Sequence, residues 1–313
     1  MKFRTEISID KQFDLEPDAK ILTLGSCFAD RMGSHLEGYG LDILVNPFGV
    51  LYNPFSIANV IVKAISPTVS NKWIQNQERW VNLNYHSCVH GKTKESAETL
   101  EMETLNQVQS HLKESKLLII TFGTAYAYEW KETGEVVANC HKLPADNFIR
   151  RCLEVDEIAQ KWRSLLQKLR SFNSKLKVVF TTSPVRHVRD SLVQNQFSKS
   201  TLNVALHKLS KEENVFYFPS YEIMMDDLRD YRFYKEDLLQ PNNQALTYIQ
   251  EKFSEFCYSS NMKSYCLESA KLKRRLQHKI MNSGEQSQKF LKETEKQLEQ
   301  FTERYPFSKI TKR

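Results

Sequence analysis

The chain has 313 residues, 41% hydrophobic and 26% charged, with a formal charge of +6 at pH 7, which is enough material for one large domain with a substantial core. No window approaches the ~20 apolar residues of a membrane-spanning helix, and the opening stretch "MKFRTEISIDKQF" lacks the apolar centre of a signal peptide. Six scattered cysteines, Cys27, Cys88, Cys140, Cys152, Cys257 and Cys266, contain no C-x-x-C pair; they read as reduced thiols, which argues for a cytoplasmic location and against a structural zinc site.

In chain order, the first apolar run is Ile21–Gly25, and helix-forming sequence resumes at Phe28. Leu41–Asn46 is the second strand candidate, followed from Ser56 by the helical pattern "SIANVIVKAI". Residues 68–94, with Trp73, Trp80 and "YHSCVHG", fit neither period. A helical stretch from Glu95 leads to a third strand, Leu117–Thr121, and residues 126–150 contain "TGEVVANCHKLP", which reads as a hairpin insertion. A helix from Glu154, a strand at Val178–Thr182, a helix from Ser198 and a strand at Val215–Pro219 complete the alternation. Short apolar runs bounded by Gly, Ser, Asn or Pro mark buried strands. Helices of this length between them predict right-handed crossovers and a three-layer α/β/α sandwich with a mainly parallel sheet.

Beyond about Asn261 the pattern is helical and basic, with 13 Lys and Arg against 6 Glu between Lys263 and Arg313. The spacing of Phe290, Thr294, Leu298, Phe301 and Tyr305 predicts a helix packed on the main domain or on a partner. The chain therefore divides into one elaborated domain, residues 1–260, and a basic helical extension, residues 261–313. That extension is either a solvated helix face or a contact for an anionic partner.

Ligands of open parallel sheets bind outside the carboxyl ends of the strands. Here those ends read Gly25-Ser26-Cys27, Asn46-Pro47-Phe48-Gly49, Phe122-Gly123-Thr124-Ala125 and Ser183-Pro184-Val185-Arg186-His187. A cysteine at a helix N-terminus sits near the positive end of the macrodipole, which favours its thiolate, and the same corner offers free N–H groups to an oxyanion. The alternative is that Ser26 caps the helix and Cys27 packs as a small buried hydrophobe. His187 is the histidine nearest a strand end, and His86 and His141 lie in the two insertions. Arg186 and Arg189 beside His187 suit an anionic group.

Several segments together resemble the GSCFA family, a mostly bacterial group usually placed with the SGNH-type hydrolases. They are "GSCFA" itself, "NPFGVLYNP", "ITFGTAYAY", "VVANCHKLP", "TTSPVRHVRD", "SKSTL" and "YFPSYEIMMDDLRDYRFY", spread over roughly residues 20–255. The resemblance to the wider group implies a flavodoxin-like sandwich with four functional blocks: a G-D-S nucleophile corner, an oxyanion glycine, a G-x-N segment and a D-x-x-H base. Laid on this sequence, it puts Cys27 at the nucleophile position with Ser26 beside it, and Gly49 at the oxyanion glycine. Gly123-Thr124-Ala125 falls on the third block, with alanine where asparagine is expected, so Thr124 and the hairpin residue Asn139 become the candidate donors. The fourth block reads Asp237-Leu238-Leu239-Gln240, with glutamine in place of histidine.

Glutamine cannot exchange a proton near neutral pH, and a positioned general base is typically worth ~10²–10⁴ in rate. A cysteine tolerates the loss better than a serine, because its thiolate can form before attack. The resemblance thus implies a hydrolase or acyltransferase acting on an ester or thioester through a covalent intermediate on Cys27 or Ser26. Its substrate would be a small acyl or glycosyl-acyl molecule, without a cofactor. The competing expectation is a catalytically silent binding protein, and no phosphate-binding glycine loop, metal-ligand spacing or nucleic-acid motif offers another. Ser26, Cys27, Gly49, Gly123, His187 and Asp237 are expected to face one pocket. The two insertions are expected to roof it, with His86 and Asn139 pointing inward.

Overall fold

The computed structural model describes residues 4–70, 72–278 and 284–311. The five apolar runs form one sheet from β1 (Ile21–Gly25), β2 (Ile43–Val45), β3 (Leu117–Phe122), β4 (Lys177–Thr182) and β5 (Val215–Tyr217), in the order β5-β4-β3-β1-β2. All four pairings are parallel, and the order 2-1-3-4-5 is the flavodoxin-like one. The edge strands β2 and β5 are shorter than expected, since each has a single partner to pair with.

Between and after the strands come helices α1 (Cys27–Gly38), α2 (Pro54–Ile65), α3 (Lys94–Glu114), α4 (Val155–Phe172), α5 (Leu192–Leu209), α6 (Asn243–Cys257), α7 (Ser260–Leu276) and α8 (Glu285–Arg304). Alternate strand residues face opposite sides of the sheet. Leu22, Leu24, Leu118, Ile120, Phe122, Val178 and Phe180 pack with α2 to α5. Ile21, Leu117, Ile119 and Val179 pack with α1, α6, α7 and α8 on the other face. The central strands are buried on both sides, which is why they read as continuous apolar runs rather than alternating ones.

The basic C-terminal helices share this second apolar cluster through Met262, Tyr265, Leu272 and Phe301, with Leu298 and Tyr305 packed against it, so the expected stripe is met on its inner face. Tyr265 and Ser269 donate to the Tyr39 carbonyl at 2.8 Å each, and Lys273 Nζ donates to the Gly38 carbonyl at 2.9 Å. The Lys309 N–H donates to the Gly40 carbonyl at 2.8 Å. These bonds tie the far end of α1 to the last part of the chain.

The two regions outside the alternation each form a three-stranded antiparallel sheet. One joins Trp73–Asn76, Arg79–Asn82 and His90–Gly91; the other joins Tyr126–Trp130, Val136–Val137 and Phe148–Cys152. They meet where the Ala138 N–H donates to the Leu83 carbonyl at 2.7 Å and His141 Nε2 reaches the Asn82 and Tyr85 carbonyls at 3.0 and 3.1 Å. Among the described residues no helix is long and apolar enough to cross a membrane, and no cluster of His, Cys, Asp and Glu is disposed to hold a metal ion.

Candidate functional site

The corner after β1 is shaped by Gly25, whose φ of +140° excludes most side chains; a Cβ there would lie 2.2 Å from the Thr121 carbonyl oxygen of the neighbouring strand. Ser26 follows as the N-cap of α1, its Oγ accepting the Phe28 N–H at 3.3 Å. Asn46, at the end of β2, braces the same corner. Its Oδ1 accepts the Gly25 N–H at 2.8 Å and its Nδ2 donates to Asp30 Oδ1 at 2.5 Å. Cys27 is therefore the first residue of α1 and stands half-buried.

Cys27 and Ser26 line a cavity of about 190 Å³ at the carboxyl ends of β1, β3 and β4. The rest of its wall comes from Tyr52 before α2, Gly123 and Thr124 after β3, Arg150 from the hairpin insertion, and Ser183, Val185, His187, Arg189 and Asp190 after β4. Arg150 Nη2 donates to Asp190 Oδ2 at 2.5 Å and its guanidinium lies 4.0 Å from the Tyr126 ring centre.

Helix α5 holds the two strand-end loops in place. Its buried stripe runs Asn195, Ser198, Lys199, Leu202, Leu206 and Leu209, polar at the end near the cavity and apolar beyond it. Asn195 Oδ1 accepts the His187 N–H at 3.0 Å. Ser198 Oγ accepts the Ala125 N–H at 2.8 Å and lies 3.1 Å from Thr124 Oγ1. Lys199 Nζ donates to the Gly123 carbonyl at 2.6 Å and the Ser183 carbonyl at 2.8 Å. Lys199 is fully buried, and that burial pushes its pKa down to about 7, with Cys27 acting in the opposite direction.

The expected lowering of the Cys27 thiol by the helix terminus is overturned. Burial, and then the Asp30 carboxylate in the first turn of α1, push its pKa up; Lys199, Arg31 and the residue's own N–H offset this only in part. Desolvation of the corner is the largest of these effects. His187 is pushed down to about 4 by burial and then by Lys199, with Asp190 opposing, so its imidazole is neutral near pH 7. Its Nε2 is buried without a hydrogen-bond partner, and its ring stands edge-on to Tyr126.

The structure gathers Ser26, Cys27, Gly123, Thr124, His187 and Arg189 around the cavity, and leaves Gly49, His86, Asn139, Arg186, Asp237 and Gln240 outside it. Gly49 is turned away: its N–H donates to the Asn46 carbonyl at 2.7 Å and its Cα faces His86 and Cys88. That amide is thus unavailable to an oxyanion. The N–H groups of Gly123 and Thr124 are likewise committed, both to the Tyr52 carbonyl at 2.8 and 3.1 Å. Asn139 forms an Asx turn, its Oδ1 accepting the His141 N–H at 2.8 Å, and with His141 it lines a separate cavity of about 740 Å³ between the small sheets. His86 packs on Gly49 rather than reaching inward. The first insertion gives the cavity no residue, so the expected roof is reduced to Arg150 of the second.

Asp237 and Gln240 also stand apart. Asp237 is exposed, and its Oδ1 accepts the Gln240 and Leu239 N–H groups at 2.9 Å each. These two bonds hold its carboxyl below the usual range. Gln240 Oε1 accepts from Lys235 Nζ at 3.2 Å. The segment approaches the strand-end loops where the Arg186 N–H donates to the Leu239 carbonyl at 3.2 Å. Arg186 itself leans on Met225 Sδ at 3.6 Å and not into the cavity.

Sequence reasoning missed Asn46, Arg150, Asp190, Asn195, Ser198 and Lys199. The last three left a readable trace. They occupy helical positions that a core stripe requires to be apolar, at the end of α5 that points toward the strand ends. The helix begins at Leu192 and not at the expected Ser198.

The sheet order, the layered helices and the strand-end cavity define a flavodoxin-like α/β/α protein with its candidate site at the first strand-to-helix corner. The profile of the GSCFA family matches residues 20–253, and the chain belongs to that family. No curated protein matches it. Similar solved structures include a carbohydrate esterase family 3 protein from Talaromyces cellulolyticus, 11% identical with a TM-score of 0.35, over 75% of this chain and 94% of that one. Another is an acetyl xylan esterase, Est2A, from the rumen bacterium Butyrivibrio proteoclasticus, 11% identical with a TM-score of 0.41, over 77% of this chain. The present chain spans 64% of the length of the latter.

Proposed function

We propose that this protein is a hydrolase or acyltransferase that cleaves a small ester or thioester through an acyl-thioester on Cys27. The observation that carries the reading is the unequal placing of the two corner residues. Cys27 is half-buried on the cavity, whereas Ser26 is 1% exposed with its hydroxyl engaged at the helix cap. The thiolate would attack the acyl carbon and expel the alcohol or thiol, and water or a second acceptor would then take the acyl group. The Cys27 N–H, in the first turn of α1 where no intrahelical acceptor exists, suits the developing oxyanion. The neutral His187 imidazole, with its free Nε2, suits a hydrogen bond to the leaving group or to water. A cavity of about 190 Å³ is smaller than the ~300–1,000 Å³ clefts that hold drug-sized ligands, and so favours a short acyl chain.

Iodoacetamide and a fluorophosphonate, applied separately and followed by peptide mapping, test the nucleophile. Iodoacetamide is expected to modify Cys27, the fluorophosphonate to leave Ser26 unmodified, and Cys27→Ala to abolish turnover of 4-nitrophenyl acetate and an acetyl thioester. Turnover that survives in Cys27→Ala overturns the reading. Two observations favour a second reading, a binding protein without catalysis: Asp237 and Gln240 lie outside the cavity, and the Cys27 thiol is pushed up. In that case neither substrate is turned over, and Cys27→Ala binds a short acyl ligand as well as the wild type does.

A further inference from the structure

Residues 51–53 bridge the ends of β1 and β3 with their side chains alternating: Leu51 and Asn53 are buried, and Tyr52 between them is 48% exposed. The main chain there is pinned from both sides. The Leu51 N–H donates to the Gly25 carbonyl at 2.8 Å, and the Tyr52 carbonyl takes the Gly123 and Thr124 N–H groups. Asn53 then caps α2, its Oδ1 accepting the Ser56 N–H at 2.8 Å. On so fixed a backbone the Tyr52 side chain has only its own torsions to move, and it stands in the wall of the Cys27 cavity.

Gly123 shows where the ring rests. Its φ lies outside the left-handed region, so backbone conformation does not call for glycine here. Space does: a Cβ on Gly123 would crowd Tyr52 Cδ1 at 3.1 Å and Ser26 Cβ at 3.2 Å. The ring therefore lies along the bare Gly123 backbone, beside the residue that precedes Cys27. Among the described residues its phenol has no hydrogen-bond partner, and burial, then Cys27 and Asp30, push its pKa up, so it stays neutral. Across the cavity the loops are tied down by buried polar bonds. Ser198 and Lys199 hold residues 123–125 and Ser183, Asn195 holds the His187 N–H, and Arg150 is bonded to Asp190. The Tyr52 ring, by contrast, is held by packing alone.

We propose that the Tyr52 ring sets the length of the acyl group that Cys27 accepts. The proposal deepens the reading above and rests on Cys27 as the residue that takes the acyl chain. An acetyl or propionyl group fits beside the ring within the cavity of about 190 Å³. A longer chain meets the ring, which yields only by giving up its contact with Gly123. One methylene too many in an apolar pocket is worth about 10–200-fold in discrimination, so a single aromatic wall suffices for a strong preference.

The test reads the size of what reaches Cys27. The protein is alkylated with iodoacetamide and, separately, with N-octyliodoacetamide, and peptide mapping follows Cys27 and the exposed Cys88 in the same digests. With the short-to-long rate ratio at Cys88 as reference, the wild-type ratio at Cys27 is expected to be at least about tenfold higher, the lower end of what one excess methylene brings. Tyr52→Ala is expected to bring it down to the Cys88 ratio. Tyr52→Phe is expected to keep the wild-type ratio, because the bulk of the ring and not its hydroxyl closes the cavity. Loosening of the fold would speed both reagents together, and the ratio separates it from a shortened wall. A long reagent that reaches wild-type Cys27 as readily as Cys88, or a ratio that Tyr52→Ala leaves unchanged, overturns the proposal. If Tyr52→Ala fails to fold, Tyr52→Leu, which keeps an apolar side chain over Gly123 without the ring, is read in its place. Alkylation needs no turnover, so the two readings fail separately. A ratio set by Tyr52 in a protein that cleaves neither 4-nitrophenyl acetate nor an acetyl thioester sinks the enzyme reading and leaves Tyr52 as the wall of a binding pocket.

Discussion

The corner at Gly25–Cys27 and the turn at Asp237–Gln240 were expected to supply the two halves of one site, and they are held by opposite means. The corner is fixed by partners distant in sequence: Thr121 on the next strand, Asn46 after β2, and the loops clamped by Asn195, Ser198 and Lys199. The turn is fixed mainly by itself, since Asp237 caps the N–H groups two and three residues on, with one backbone bond from outside, the Arg186 N–H on the Leu239 carbonyl. A position dictated by the sheet is kept under any local sequence that permits the fold. A position dictated by a turn goes wherever the turn chemistry leads, and here it leads outward to solvent.

Substitutions at the two places measure that contrast. Gly25→Ala is expected to have the largest effect, about 3–5 kcal/mol of lost stability or outright failure to fold, from a positive φ combined with a backbone clash; thermal or urea unfolding reads it. Asn46→Ala strands the buried Gly25 N–H and frees Asp30, at about 2–3 kcal/mol by the same measurement. A stability loss below about 0.5 kcal/mol there would show that the corner is not held from afar.

His187 sharpens the comparison through pH. An unfolded histidine gains its proton below about 6.5, while folded His187 does so only near 4. The unfolded chain therefore takes up the extra proton as pH falls through this window, and folding weakens with it. The expected share is about 1–2 kcal/mol once solvent access to the ring is allowed for. His187→Gln is expected to remove that share, leaving the similar one from His35, also held near 4 by burial. Parallel stability curves for the two proteins between pH 4 and 6.5 would contradict the burial argument.

At the turn the effects are small. Asp237→Ala is expected to cost about 0.5–1 kcal/mol, the worth of its local hydrogen bonds, and to leave Cys27 alkylation unchanged. Gln240→His restores the family pattern on paper, yet its imidazole would stand beside Lys235 outside the cavity. Turnover of an activated ester is expected to stay within about twofold of the wild type, the scatter of a surface substitution. A tenfold gain would mean that the turn folds inward during the reaction.

The sheet was legible because burial on both faces writes itself as unbroken apolar runs; Ile21–Gly25 was bounded to the residue. The corner was legible for the same reason, being a glycine at the end of such a run. The base position was not, because Asp237 and Gln240 carry the right letters without the long-range contacts that would bring them in. Lys199 was hidden by the opposite effect. A lysine on a helix suggests solvent, and only its place in the stripe with Leu202, Leu206 and Leu209 shows that it faces the core. Asn139 was misread because an asparagine two residues before a left-handed His141 serves the turn it starts.

The bonds from Tyr265, Ser269, Lys273 and Lys309 to the carbonyls of Gly38, Tyr39 and Gly40 have a consequence in time. Helix α1 is made early in synthesis, yet the residues that fasten its far end leave the ribosome only after the whole sheet has been made. Until then helix α1 is held by Asn46 at its start and by the packing of Phe28, Met32 and Leu36 on the strands beside it, without these bonds at its far end. The nascent protein can therefore hold the Cys27 corner while the second apolar cluster still lacks Met262, Tyr265, Leu272 and Phe301. Contacts of such long sequence separation are the slow ones to form, so the fastening of the far end of α1 marks the last stage of folding and not the first.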